Sequence, residues 1–493
     1  MRPAYPTIYE INSWAWLAAI SARLRAPVDL ASVPASEWDA IAARGFDAVW
    51  LMGVWERSPA GTAIAAANPD LIAEFVRALP DFHAADNVGS AYCIRDYTVA
   101  AQLGGAAALA RARQELGKRG LRLILDFVPN HVAPDHPWTA TYPDYFIAGS
   151  AADAAADPAG YLTIAGRALA RGRDPNYPPW PDVVQLNAFS PALRQAAAAT
   201  LVDIAMQCDG VRCDMAMLML RDVFERTWGA RAGAAPATEY WPDVIAQVRA
   251  AHPDFLFIAE AYWDREWDLQ QQGFDFCYDK RLYDRLAHGD ARSVRAHLTA
   301  GIDYQSRLLR FIENHDEPRA ADAFAPGKAR VAALAIATLP GARLFYDGQF
   351  EGRRVRLPVF LGRAPDEAVD MAVYQFYTAL LAAIDRPVFH EGEWQLCLGH
   401  GWADNASGEN LIAWVWRDRV ERYLIVVNLS GERAQARIVL PWDDLPGQSW
   451  RLADELAGAA FDRDGNDMAD AGLYVDLPAW GHHFLRVQPL AVA

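Results

Sequence analysis

Residues 122–131 read Arg122-Leu-Ile-Leu-Asp126-Phe-Val-Pro-Asn130-His131. A short β-prone apolar run stops at a proline and hands over to polar side chains, the pattern of a buried parallel strand reaching the rim of its sheet. Comparable runs stand at 7–11, 48–52, 210–213, 255–259, 274–278, 310–312 and 342–345, which makes eight. Longer stretches with helical spacing lie between them. Residues 105–119 are Ala-rich, and Ser190-Pro191 reads as an N-cap and first helical residue opening a helix to about Cys208. Eight strand–helix alternations predict an α/β fold, a (β/α)8 TIM barrel built from 1–131 and 184–390, with an open doubly wound sheet as the alternative. The longest gap, from His131 to Asp209, predicts a short domain B insertion after strand 3, over 132–183. Beyond 391 the β-prone runs 411–416, 423–429, 436–440 and 483–487 follow one another without helices, which predicts a C-terminal antiparallel β-sandwich domain over 391–493.

Composition narrows the function. Hydrophobic residues make up 53% and charged residues 22% of the 493, an ordinary mix for a folded chain. The net charge of −16, without a Lys/Arg block, repels phosphate backbones and anionic lipid heads, so neither nucleic acid nor a membrane is an expected partner. Cys93, Cys208, Cys213, Cys277 and Cys397 are scattered with no C-x-x-C pair, which predicts free thiols. The N-terminal residues lack an apolar leader, and no run is long enough for a membrane span, so the expected location is the cytoplasm.

In a (β/α)8 barrel, chemistry sits at the C-terminal ends of the strands. Three such ends carry acids: Gly210-Val-Arg212-Cys-Asp214, Ile258-Ala-Glu260 and Phe311-Ile-Glu-Asn-His315-Asp316. Singly, each also fits a helix cap or a solvated loop. Together on one rim they fit glycosidic cleavage, which needs a nucleophilic carboxylate and a protonated carboxyl across a cleft. Asp214 and Glu260 suit those two roles. Arg212 lies two residues before Asp214, on the same face of its strand, and is placed to hold the carboxylate ionised. Asp316 is a candidate stabiliser of positive charge at the transition state, and His131 and His315 are candidate donors to sugar hydroxyls.

These segments resemble the four signatures of glycoside hydrolase family 13, the α-amylase family. Asp126-Phe-Val-Pro-Asn130-His131 is similar to the first, Gly210-Val-Arg212-Cys-Asp214 to the second, the strand ending in Glu260 to the third and Glu313-Asn-His315-Asp316 to the fourth. The resemblance implies a retaining mechanism on α-glucans, with Asp214 as nucleophile, Glu260 as acid/base and Asp316 as stabiliser. It also implies that Tyr92 stacks under the sugar that is cleaved, with His131, Arg212 and His315 around it.

Two departures refine the expectation. Family members that bind calcium use an Asn in the first signature and an Asp in a Pro-Asp-Leu-Asn stretch. Asn130 is present, but the second stretch reads Val184-Gln185-Leu-Asn187, so a carboxylate ligand is lost and no cofactor is required. Second, α-glucosidase-like members carry an Asp after the stacking Tyr, where this chain has Cys93, which argues against a strict exo-glucosidase. Trp55, Trp138, Trp180, Trp263 and Trp267 flank strand ends and are candidate sugar platforms. The expected activity is hydrolysis of α-1,4-glucosidic bonds in maltooligosaccharides, starch or glycogen. The alternatives are an α-glucan transglycosylase with the same residues and a silent glycan-binding relative.

Overall fold

The computed structural model describes residues 3–490. Eight parallel strands form a closed barrel: β1 (Thr7–Asn12), β2 (Ala48–Met52), β3 (Arg122–Phe127), β4 (Gly210–Cys213), β5 (Leu256–Ala259), β6 (Phe276–Tyr278), β7 (Leu308–Arg310) and β8 (Ala342–Tyr346). Each pairs with its sequence neighbours, and β8 closes onto β1. Strands covered on both faces must be apolar throughout, and apart from their few charged residues these are. The helix Pro191–Ala205 starts as expected, with the Ser190 hydroxyl accepting from the Leu193 N–H. One register expectation is corrected. Strand β7 ends at Arg310, two residues short of the predicted end, and the buried Phe311 and Ile312 lie in the turn above it.

Two elaborations stand on the C-terminal rim. After β3, His131–Val132 pairs with Val184–Gln185, and three further short strands form a separate small sheet. The other was not anticipated. Helix Pro69–Ala78, between β2 and β3, packs against the long irregular loop 347–370 that follows β8. Phe75, Leu79, Leu357 and Leu361 share a small core of their own there.

The C-terminal part is antiparallel, with a six-stranded and a three-stranded sheet. Strand Leu411–Arg417 is buried on both faces. Ala413 and Val415 face the inner core, whereas the Trp414 and Trp416 indoles both donate to the Thr338 carbonyl at the end of the barrel helix Pro326–Thr338. Among the described residues, all five cysteines are free and buried, and no helix is long and apolar enough to cross a membrane.

Candidate active site

A cleft of about 900 Å³ opens over the C-terminal ends of the strands. Beneath its floor lies Arg212, 1% exposed on the inward face of β4. Its Nη1 is 2.7 Å from Asp214 Oδ1 and 3.8 Å from Asp126 Oδ1. Its Nη2 is 2.8 Å from Glu260 Oε2 and 3.9 Å from Asp316 Oδ2. A single guanidinium therefore spans Asp214 and Glu260 and reaches toward two further carboxylates. The rings of Trp50, Tyr92 and Tyr278 surround its cation at 5.0–5.6 Å.

The backbone positions both central acids. Asp214 N–H donates to Phe127 O at 2.8 Å, and Glu260 N–H donates to Cys213 O at 3.0 Å, so the sheet's hydrogen bonding carries past the strand ends. Met215 then adopts a left-handed conformation (φ 43°), uncommon for a side-chain-bearing residue, and its N–H donates to Glu260 Oε2 at 2.6 Å. The Tyr262 hydroxyl donates to the other oxygen, Oε1, at 2.9 Å.

Burial pushes the Glu260 carboxyl up to about 7, with Arg212 opposing and the negative Asp214 and Asp316 adding to the rise. Burial also raises Asp214, against the pull of Arg212. Asp316 behaves differently: its side chain is 43% exposed to the cleft, and although desolvation raises it, His315, Arg212 and Arg356 together hold it at about 2. His315 in turn loses to burial but gains from Asp316 and Glu10, which bring it to about 10. Its Nδ1 lies 2.5 Å from Glu10 Oε1, and its Nε2 lies 2.9 Å from Asp316 Oδ2 and 2.7 Å from the Tyr92 hydroxyl. Burial lowers His131 to about 3, so its ring is neutral.

All seven candidates read from the sequence converge here. Asp214, Glu260, Asp316, Tyr92 and His131 line the cleft, and Arg212 and His315 support them from below. Of the five tryptophans, Trp180 and Trp263 line it, and Trp263 and Asp264 form a left-handed pair after β5. Trp55 is instead a core residue, 1% exposed, with its indole bonded to Asp126 O. Trp138 packs on Tyr145, and Trp267 lies outside the cleft against Tyr304. Sequence reasoning passed over Glu10 and Tyr262. An acid inside the buried run Thr7–Asn12 was a signal for the first, and the two-residue spacing from Glu260 was one for the second.

The place where relatives hold calcium does not fit the ion. The Gln185 amide Nε2 donates to Asn130 Oδ1 at 2.8 Å, and to Asn130 O and Leu186 O at 3.0 Å each. An amide nitrogen thus takes up the Asn130 and Leu186 oxygens that a hard cation would need. Asn187 is turned away, bonded to Phe189 N and Ala232 O.

A closed parallel barrel with carboxylates gathered on its C-terminal rim, an elaboration after strand 3 and an antiparallel β-rich C-terminal part defines a (β/α)8 barrel of the α-amylase type. Residues 35–167 match the family described as alpha amylase, catalytic domain. The chain is 25% identical over 409 residues to Alpha-amylase MalA of Haloarcula japonica, covering 78% of this chain and 54% of that protein. It is 22% identical over 275 residues to Alpha-amylase 3 of Dictyoglomus thermophilum, covering 51% and 50%. This chain therefore spans about half the length of these curated relatives. In fold it resembles the noncanonic maltogenic alpha-amylase AmyB of Thermotoga neapolitana, with a TM-score of 0.69, 17% identity and 99% of both chains covered. In sequence and in fold the chain is thus similar to the α-amylase family, glycoside hydrolase family 13.

Proposed function

We propose that the protein is a retaining α-glycoside hydrolase that cleaves α-1,4-glucosidic bonds in maltooligosaccharides, starch or glycogen. The observation that carries this reading is the guanidinium of Arg212 shared between Asp214 and Glu260, with the Glu260 carboxyl pushed up to about 7. Asp214 attacks the anomeric carbon as the bond to the leaving oxygen breaks, and Glu260 gives its proton to that oxygen. The resulting glycosyl ester on Asp214 is hydrolysed by a water that Glu260, now ionised, deprotonates. Asp316, ionised and open to the cleft, stabilises the positive charge that develops on the sugar ring. Tyr92 supplies the ring beneath that sugar, neutral His131 supplies a hydrogen-bond donor, and charged His315 holds Asp316 and the Tyr92 hydroxyl in place.

No cofactor enters this scheme. Its working units are the barrel (1–131 and 184–390), domain B (132–183) and domain C (391–493), and the unpaired cysteines support a cytoplasmic setting. The test is a product time course on maltoheptaose with the anomeric form of the first product recorded. Shorter sugars released in the α form are expected, and a β first product overturns the retaining mechanism. Trp180 and Trp263 in the cleft wall favour one second reading, transfer to an acceptor sugar, which products longer than the substrate would establish.

A further inference from the structure

Part of the barrel mouth is walled by chain that the catalytic steps do not use. Loop 347–370 follows β8 and is bonded to the chain beyond β7 and beyond β2. Arg356 Nη1 donates to the Asp316 carbonyl at 3.0 Å, and the same guanidinium pairs with Glu74. Val88 N–H donates to Phe360 O at 2.9 Å, and Gly362 N–H donates to Asp86 O at 2.8 Å. Arg57, buried, ties the two loops together, its Nη1 donating to Gly89 O at 2.6 Å and to Val359 O at 3.1 Å. The Phe360 ring packs on Phe75 at 5.5 Å. Loop 347–370 is thus a fixed wall with its own core, and Val359 and Phe360 line the cleft with Ser90 and Tyr92.

The chemistry sets the direction of the bound chain. The leaving portion lies where Glu260 can protonate it, on the side of β5 and β6. Trp263, after β5, and Lys280 and Arg281, after β6, line the cleft on that side. The portion that becomes covalently attached to Asp214 extends the other way, over Tyr92 and into the wall.

We propose that Val359 and Phe360 close the donor side of the cleft, so that the enzyme attacks an α-glucan from its non-reducing end and releases a short product of fixed length. This rests on the α-glucan hydrolase reading above. The limit is steric and needs no carboxylate after Tyr92 to hold the end group, which suits the presence of Cys93 there.

The test compares two maltoheptaosides, one with a free non-reducing end and one blocked there by a 4,6-O-acetal, with products followed by chromatography. The free substrate should be shortened from the start by one constant short unit, and the blocked one should react at least about 100-fold more slowly. Blocked and free substrates cleaved at rates within about threefold, or mid-chain fragments from the first minutes, overturn the proposal. Phe360→Gly should raise the rate on the blocked substrate, and the wild-type comparison stands even if that variant does not fold. No turnover of either substrate, together with no glycosyl adduct on Asp214, would remove the hydrolase reading and this proposal with it. Turnover of both would remove the proposal alone.

Discussion

Arg212 and Arg310 are both buried guanidinium groups on barrel strands, yet their surroundings differ in one decisive way. Arg310 has a single acid, Asp279, and spends its other N–H groups on Pro340 O and the Gln305 side chain and backbone. His297, which burial brings down to about 4 and leaves neutral, bridges Asp279 to Arg285. One cation meets one anion, and no solvent reaches them. Arg212 instead faces four carboxylates, and with His315 it supplies two positive charges against them plus Glu10. A cluster with more carboxylates than cations cannot keep every one of them ionised out of water, so one retains a proton near neutrality. The difference teaches how to tell the two kinds of buried arginine apart: a saturated pair serves the fold, and an oversubscribed one, open to a cleft, serves chemistry.

The sharpest way to break this contrast is to neutralise one acid of each cluster. Asp214→Asn should lower kcat by about 10³-fold or more, with the thermal midpoint little changed, in a maltooligosaccharide assay paired with calorimetry. Glu260→Gln should lose a comparable factor on maltooligosaccharides but recover much of it on aryl glycosides with good leaving groups, which need little protonation. Asp279→Asn should do the reverse. Removing half of a buried pair costs about 3–5 kcal/mol of unfolding free energy in denaturant titration, while kcat per folded molecule holds.

A smaller effect probes the proton itself. Because Glu260 must be protonated to act as acid, kcat/KM should fall as pH rises through about 7. The Tyr262 hydroxyl donates to Oε1 and so favours the ionised carboxylate. Tyr262→Phe should therefore raise the carboxyl's pKa and move the alkaline limb upward, by about half to one pH unit for a hydrogen bond of ordinary strength. Least of all, a chelator should leave the melting temperature where it was, since Gln185 Nε2 already holds Asn130 and Leu186 together.

The sequence carried the site more plainly than its surroundings. Asp214, Glu260 and Asp316 stand at or just beyond the ends of apolar strands, where a charged side chain is conspicuous. Arg212 is conspicuous for being inside one. Alternation along the strand was enough to put Arg212 and Asp214 on one face, and the 2.7 Å contact follows from it. The wall was illegible because loop 347–370 has no regular elements and hence no periodicity to read, and its contacts to Arg57, Asp86 and Glu74 are remote in sequence. The end of β7 was misplaced for a related reason. Phe311 and Ile312 are as apolar as the strand before them, and hydropathy does not mark where the ladder of hydrogen bonds stops. Trp55 shows the converse error, since indole rings near a rim serve the core as readily as a cleft.

The shared bonds of Trp414 and Trp416 to the Thr338 carbonyl bear on how such a gene can be recombined. Helix Pro326–Thr338 leads directly into β8, so the C-terminal sheet acts as a splint on the last turn of the barrel rather than as a detachable appendage. A fragment ending near residue 390 would strip the indoles from that carbonyl and bare the apolar flank they cover. Chimeras that graft this barrel onto a foreign C-terminal part should stay soluble only if the donor brings a matching pair of aromatic donors at that seam.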